Sequence, residues 1–191
     1  MKIATVEIEG ISPYSPSKYI QEKKKENETG DQWEERVWRD RCHWGPDGKM
    51  FIPPMAFKKA LDDSARYKSM KISGRGQSTY TKHFTAGVLV LEGPSLPVTR
   101  ETVEGEWLFL HAQAGKETRV PKKEPFVREW SVTVQFHVLD EIIKEEVFET
   151  VLKRAGSFIG IGRFRPQNGG FYGRFKVKSI RWTELSEEAA A

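Results

Sequence analysis

The sequence has a single cysteine among its 191 residues, Cys42, so it can form neither an internal disulfide nor a cysteine-based zinc site. No apolar run approaches the ~18–20 residues that a membrane span requires, and no membrane partner is expected. A leader-like apolar stretch is missing too. Met1-Lys-Ile-Ala-Thr-Val-Glu7 places an acid where a signal peptide keeps hydrophobic residues, so a cytoplasmic setting is expected. Nothing in the sequence calls for a metal or another cofactor. The most informative absence is of acid: from Lys153 to Arg181 there is no Asp or Glu, but there are eight Lys or Arg. The remainder holds 23 basic and 27 acidic residues, so a formal charge of +4 conceals an acidic body with one basic segment. Such asymmetry points to a polyanionic partner.

What is present fits an ordinary globular chain, with 38% hydrophobic and 30% charged residues. Ala4, Val6 and Ile8 alternate with Thr5, Glu7 and Glu9 as in a half-buried strand. Residues 14–48 are polar and poor in aliphatics and read as an inserted loop, with a helical turn around Gln32–Arg39. Pro53-Pro54 pre-sets a helix start, and Phe57, Ala60, Leu61 and Ala65 recur at helical spacing to about Lys68. Residues 73–86 read as a flexible basic loop and Gly87–Leu91 as a short strand. Residues 93–127 read as a second insertion that can form a hairpin around Trp107–Leu110. Trp130, Val132, Val134, Phe136 and Val138 alternate inward. Leu139–Ala155 carries a helical stripe ended by Gly156, and Phe171–Val177 alternates again. The tail from Glu184 is acidic, then featureless.

This order is β-α-β-β-α-β. It implies an α+β fold, a ferredoxin-like (RRM-like) core with an antiparallel sheet and two long insertions. The chain reads as one domain over 1–191, with core elements near 1–10, 49–92 and 128–183 and insertions near 11–48 and 93–127.

The stretch from Gly156 to Val177 holds six glycines beside Arg163, Arg165 and Arg174. It follows a helix and precedes a strand, the reverse of a dinucleotide fingerprint, and it lacks the Gly-Lys-Ser/Thr of a phosphate-binding NTPase loop. It is expected to offer free backbone N–H groups and arginines to a phosphodiester backbone. On the following strand Phe171, Phe175 and Val177 are expected to face in, leaving Tyr172, Arg174, Lys176 and Lys178 on an open, base-stacking face.

The β-α-β-β-α-β order, the late glycine-rich loop and Lys49-Met-Phe-Ile-Pro-Pro-Met-Ala-Phe-Lys-Lys-Ala-Leu61 together resemble the RAMP superfamily of CRISPR-associated RNA-binding proteins. The resemblance is greatest to its backbone subunits, which polymerise along a guide RNA. It implies guide-RNA contact by Lys58 and Lys59 and by Gly160, Gly162, Arg163, Gly169, Gly170 and Gly173. It also implies that insertion 93–127 is a thumb-like hairpin. Arg75, Lys82, Arg119, Lys122, Lys123, Arg165, Tyr172, Arg174 and Lys176 complete the expected interface. The implied partners are guide or single-stranded RNA, a DNA target, copies of the chain itself and other effector subunits.

A catalytic alternative is a metal-independent RAMP endoribonuclease using His83 with Tyr80 or Lys82. A third reading is a single-strand-binding protein of a virus or mobile element. Cys42-His43 lacks a second ligand pair, and His137 alternates outward as a surface contact. Asp31 and Asp40 stand in the insertion where some backbone subunits keep a cleaving aspartate, and they read more simply as solvated charges. Trp33, Trp38 and Trp44, interleaved with Arg36, Arg39 and Arg41, either stack bases, dock a neighbour, or fold the insertion onto its own core.

Overall fold

In a computed structural model, which describes residues 1–112 and 117–184, alternation along β1 (Lys2–Gly10) puts Ala4, Val6 and Ile8 in the core, each at most 1% exposed. The acidic tail read beyond Glu184 lies outside the described residues. β1 pairs antiparallel with β7 (Ser131–Val138) on one side and β8 (Phe175–Glu184) on the other. The two-residue β3 (Val88–Leu89) extends the sheet beyond β7, giving the order β3-β7-β1-β8. All neighbouring strands in this sheet are antiparallel.

One face of the sheet is covered by α2 (Pro54–Lys68) and α4 (Glu145–Arg154). Pro54 starts α2, its fixed φ suiting the first turn. Phe148 of α4 is fully buried, with its ring centroid 5.3 Å from those of Phe136 and Trp182. Ser64 donates to the Val151 carbonyl at 2.8 Å, tying the two helices together where a hydroxyl would otherwise be buried alone. α3 (Thr81–Gly87) lies beside α2. Lys58 of α2 donates to the Phe84 and Thr85 carbonyls at 2.9 and 3.0 Å, satisfying acceptors in the last turn of α3.

Both insertions are structured. The first contains α1 (Gly30–Val37), started by a capping box between Thr29 and Gln32, followed by a 3-10 turn over Trp38–Arg41. The second contains β4 (Ser95–Thr99), which pairs with β2 (Lys49–Phe51), and a hairpin of β5 (Glu104–His111) and β6 (Arg119–Phe126).

Five local expectations are corrected. The helix placed at Leu139 begins at Glu145, and Leu139 is 44% exposed. The Asp140 side chain accepts from the Ile142 amide at 3.0 Å, and the resulting turn displaces the first helical residues despite their apolar spacing. Gly156 does not end α4: a π-helical turn, Ala155–Ile159, carries on through it. The flexible loop read over 73–86 is helical from Thr81, because Phe84 is buried and Lys58 caps the helix end. The last strand starts at Phe175, not Phe171, and β3 is shorter than the Gly87–Leu91 expected.

Candidate nucleic-acid interface

The glycine-rich loop joins the π-helical turn to β8 and folds against residues 12–15. Most of its amides are engaged within the chain. Ile161 N donates to Gly173 O at 3.0 Å, Arg163 N to Ser15 O at 2.8 Å, Gly170 N to Arg165 O at 3.1 Å and Gly173 N to Pro13 O at 2.7 Å. Gly160, Gly169 and Tyr172 likewise donate to internal carbonyls. The row of N–H groups expected to be free is therefore mostly used within the chain, and Gly160, Gly162, Gly170 and Gly173 serve close packing of the loop on its own chain. At Gly162 an added Cβ would stand 2.4 Å from Ser15 O, and at Gly173 it would stand 1.8 Å from Ile161 O.

Between the arginines sits Phe164 with φ of 57°, uncommon for a bulky residue. Its ring packs 6.3 Å from Phe126 and 6.0 Å from Tyr172, and its carbonyl accepts from Tyr172 N at 2.9 Å. Phe126 belongs to β6, so these rings attach the loop to the base of the hairpin. Tyr172 is half-buried in this cluster and does not stand on the open sheet face, as its placement on a strand had suggested.

The arginines around Phe164 differ in their partners. Arg163 reaches Glu124 of β6, with Nη1 to Oε1 at 3.1 Å. Glu124 is 0% exposed, and Arg41 lies against its other oxygen at 3.4 Å. Arg41 also donates to both oxygens of Glu34 at 3.1 and 2.8 Å. Burial pushes the Glu124 carboxyl above its ordinary range, opposed by Arg163 and Arg41. Arg165 and Arg174 are half-buried and, among the described residues, neither side chain has an ion-pair or hydrogen-bond partner. Each keeps a buried, unsatisfied Nε.

The expected lysines divide in the same way. Lys58 is 7% exposed and saturated by Asp62 and the α3 carbonyls, which corrects its place in the interface. Lys59 pairs with the buried Asp63 at 3.0 Å, and Gln167 of the loop donates to the same carboxylate at 3.0 Å. Lys176 and Lys178 both pair with Glu9, at 2.7 and 3.1 Å. The open face across them carries Ser131, Thr133, Gln135 and His137 of β7 with Thr5, Glu7 and Glu9 of β1, so the expected aromatic–basic surface is absent there. Arg75, Lys82 and Arg119 are exposed, and Lys122 is half-buried.

Register on the hairpin sets exposed rings beside basic residues expected in the interface. Trp107, Phe109 and His111 of β5 stand opposite Lys123, Pro121 and Arg119 of β6, so all six share one face. Trp107 is 45% and Phe109 65% exposed. Lys123 lies 5.9 Å from the Trp107 ring and 5.1 Å from that of Trp38 while pairing with Glu35 at 2.7 Å. The signal was available as aromatic residues at i and i+2 facing basic residues across a hairpin, once the pairing register is known.

The remaining candidates have structural explanations. Trp38 is buried in the core and Trp44 packs against it, donating to the Arg39 carbonyl, while the half-buried Trp33 donates to the Glu22 carbonyl within the insertion. Asp40 pairs with Arg100 at 2.6 Å, and Asp31 stands in the first turn of α1. Cys42 is buried and its thiol is pushed up to about 12 by burial, so it is no nucleophile at neutral pH. Burial also lowers His43, which packs 5.5 Å from Phe51. His83 Nδ1 lies 2.7 Å from Asp140 Oδ2, joining α3 to the turn before α4, while Tyr80 is half-buried against the core.

No protein-family model matches the sequence, and no curated protein is detectably similar to it. Among solved structures, the fold matches a chain of the Type III-B Cmr-beta complex bound to cognate target RNA, with a TM-score of 0.54 at 12% identity. The match covers 97% of this chain and 61% of that one, so this chain spans about three-fifths of its length. Cmr6 from Pyrococcus furiosus aligns at 14% identity over 93% of this chain and 99% of its own, with a TM-score of 0.48. A CRISPR protein from Archaeoglobus fulgidus aligns at 11% identity over 97% and 66%, with a TM-score of 0.39. The likeness of fold rests on the first of these. It shows that the chain shares the fold of a chain of that RNA-bound complex.

Proposed function

We propose that this chain is a non-catalytic, RNA-binding subunit of RAMP type, built on a ferredoxin-like core and working beside copies of itself or other subunits of a CRISPR effector. The observation that carries this reading is the pair Arg165 and Arg174. A half-buried guanidinium with an unsatisfied Nε costs free energy, about 1–3 kcal/mol for each unmade hydrogen bond. A phosphate backbone supplies the missing acceptors and the opposite charge. The sheet order with β1 between β7 and β8 supports a ferredoxin-like core. The hairpin face with Trp107 and Phe109 is joined to the same loop through Phe126 and offers rings on which unpaired bases stack. Backbone contacts with sequence-tolerant stacking suit a guide or other single strand held by shape.

The test is a fluorescence-anisotropy titration of the purified chain with a fluorescein-labelled mixed-sequence 20-nucleotide RNA at several salt concentrations. Arg165→Ala and Arg174→Ala should weaken binding for every sequence, each lowering the salt slope by about 0.7. An unchanged affinity and slope in the double variant would remove the loop from the interface.

A further inference from the structure

On the helical side of the molecule, away from the open sheet face, Arg154 at the end of α4 lies between two aromatic rings. Its Cζ is 4.2 Å from the Phe158 ring centroid and 5.5 Å from that of Tyr67. Phe158 is 51% and Tyr67 66% exposed, large aromatic surfaces left in water. Phe158 belongs to the π-helical turn and Tyr67 to the last turn of α2. Arg154 makes no ion pair among the described residues, and its Nε is buried without a partner. Its neighbour Lys153 by contrast pairs with Glu149 at 2.6 Å. An arginine in a last helical turn complements the helix dipole, which explains the charge but not two exposed rings bracketing it.

The group is continuous with the loop that carries Arg165. Gln167 of that loop is held by Asp63, which lies one helical turn before Tyr67 on α2, and the π-helical turn packs against the 3-10 turn Pro166–Asn168. Gln167 thus ties the loop that carries Arg165 to the helix that carries Tyr67.

We propose that Tyr67, Arg154 and Phe158 form a second RNA contact, in which a base stacks on the exposed ring surface and its phosphate binds the Arg154 guanidinium. The proposal rests on the reading of the chain as an RNA-binding protein and extends the bound strand from the glycine-rich loop across the helical face. Aromatic stacking is sequence-tolerant, so the site takes unpaired bases of any identity.

The test uses the full chain with two labelled 20-nucleotide RNAs, one of mixed sequence and one carrying a central run of abasic nucleotides. Arg165→Ala is measured alongside as the loop control. Tyr67→Ala and Phe158→Ala, both on exposed rings and checked for folding by circular dichroism, should each weaken binding to the intact RNA about 5- to 100-fold. They should leave the salt slope unchanged and have less effect on the abasic RNA. Arg154→Gln should lower the slope by about 0.7. If Arg165→Ala weakens binding while Tyr67→Ala and Phe158→Ala do not, this second contact is overturned and the loop reading stands. If the ring variants bind RNA normally but change the mass of the protein's own assemblies in light scattering, the patch docks protein, which also overturns it. If the wild-type chain binds neither RNA, the RNA-binding reading itself fails and the second contact falls with it.

Discussion

Arg163 Nη1 stands 3.1 Å from Glu124 Oε1, so an arginine of the glycine-rich loop is held by an acid at the base of the hairpin. Two positions further on, across Phe164 with its positive φ, Arg165 has no such partner among the described residues. The two arginines either side of Phe164 thus differ in that only Arg163 is paired among the described residues.

Removing Arg163 should act on stability more than on binding. Arg163→Ala leaves Glu124 buried against Arg41 alone and should cost roughly 2–3 kcal/mol, less than a fully buried pair because Arg163 is itself partly exposed. Urea unfolding measures this, and the salt dependence of RNA binding should not change. The Glu124 carboxyl also gives a pH signature. Its folded-state pKa is raised by burial, so the native state holds this proton more tightly than the unfolded chain. Its contribution therefore declines as pH rises from the ordinary value of 4.5 through the folded one. Glu124→Gln should remove that decline, seen as a difference in urea midpoints between pH 4 and pH 7.

Two glycines of the same loop should respond very differently to alanine. At Gly173 φ is 66° and the new Cβ meets the Ile161 carbonyl, so Gly173→Ala should cost on the order of 3 kcal/mol or more. At Gly169 φ is 80° but the space is open, leaving only the left-handed backbone strain of about 1–2 kcal/mol. Thermal denaturation of the two variants should rank them in that order, and equal losses would refute the close-packing role given to Gly173.

The His83–Asp140 pair should appear as acid sensitivity. Burial alone would raise the Asp140 carboxyl, but the His83 hydrogen bond and the Ile142 amide outweigh it, and its pKa is lowered. The stability it adds is present above the ordinary value of 3.8 and is lost as pH falls through the lowered folded value. Asp140→Asn should therefore be less stable than wild type at pH 6, with the difference shrinking toward pH 2. A difference that grew on acidification would contradict the assignment.

Cys42 supplies a probe of global opening. With the thiol buried and its pKa pushed up to about 12, the native protein should react with a disulfide reagent at pH 8 far more slowly than the urea-unfolded chain. Rapid native labelling would place the first insertion in exchange with an open form.

Much of the scaffold was readable because it depends on local pattern. The alternations at Ala4–Ile8 and Trp130–Val138 and the proline start at Pro54 all name elements that formed as expected. The 139–144 turn was not readable, because one Asp side chain bonding two residues ahead overrode an apolar stripe. The candidate site was legible as a segment but not as individual residues. Charge and glycine content marked 156–177, yet only tertiary partners distinguish Arg163 from Arg165, Lys58 from Lys82, or Lys176 from Arg174. Trp107 and Phe109 became a surface only when strand register set them opposite Lys123 and Pro121.

The buried charges Glu34, Arg41 and Glu124 and the half-buried Arg163 come from an insertion helix with its following turn, a hairpin strand and a loop that are far apart along the chain. None of these charges can be left half-matched at low cost. Loop closure between such distant segments is slow, and its reward comes only when all of them arrive. The hairpin base and the glycine-rich loop should therefore acquire their native form together, after the sheet and its two helices. During synthesis the hairpin, made first, must wait for the loop before its buried acid finds Arg163.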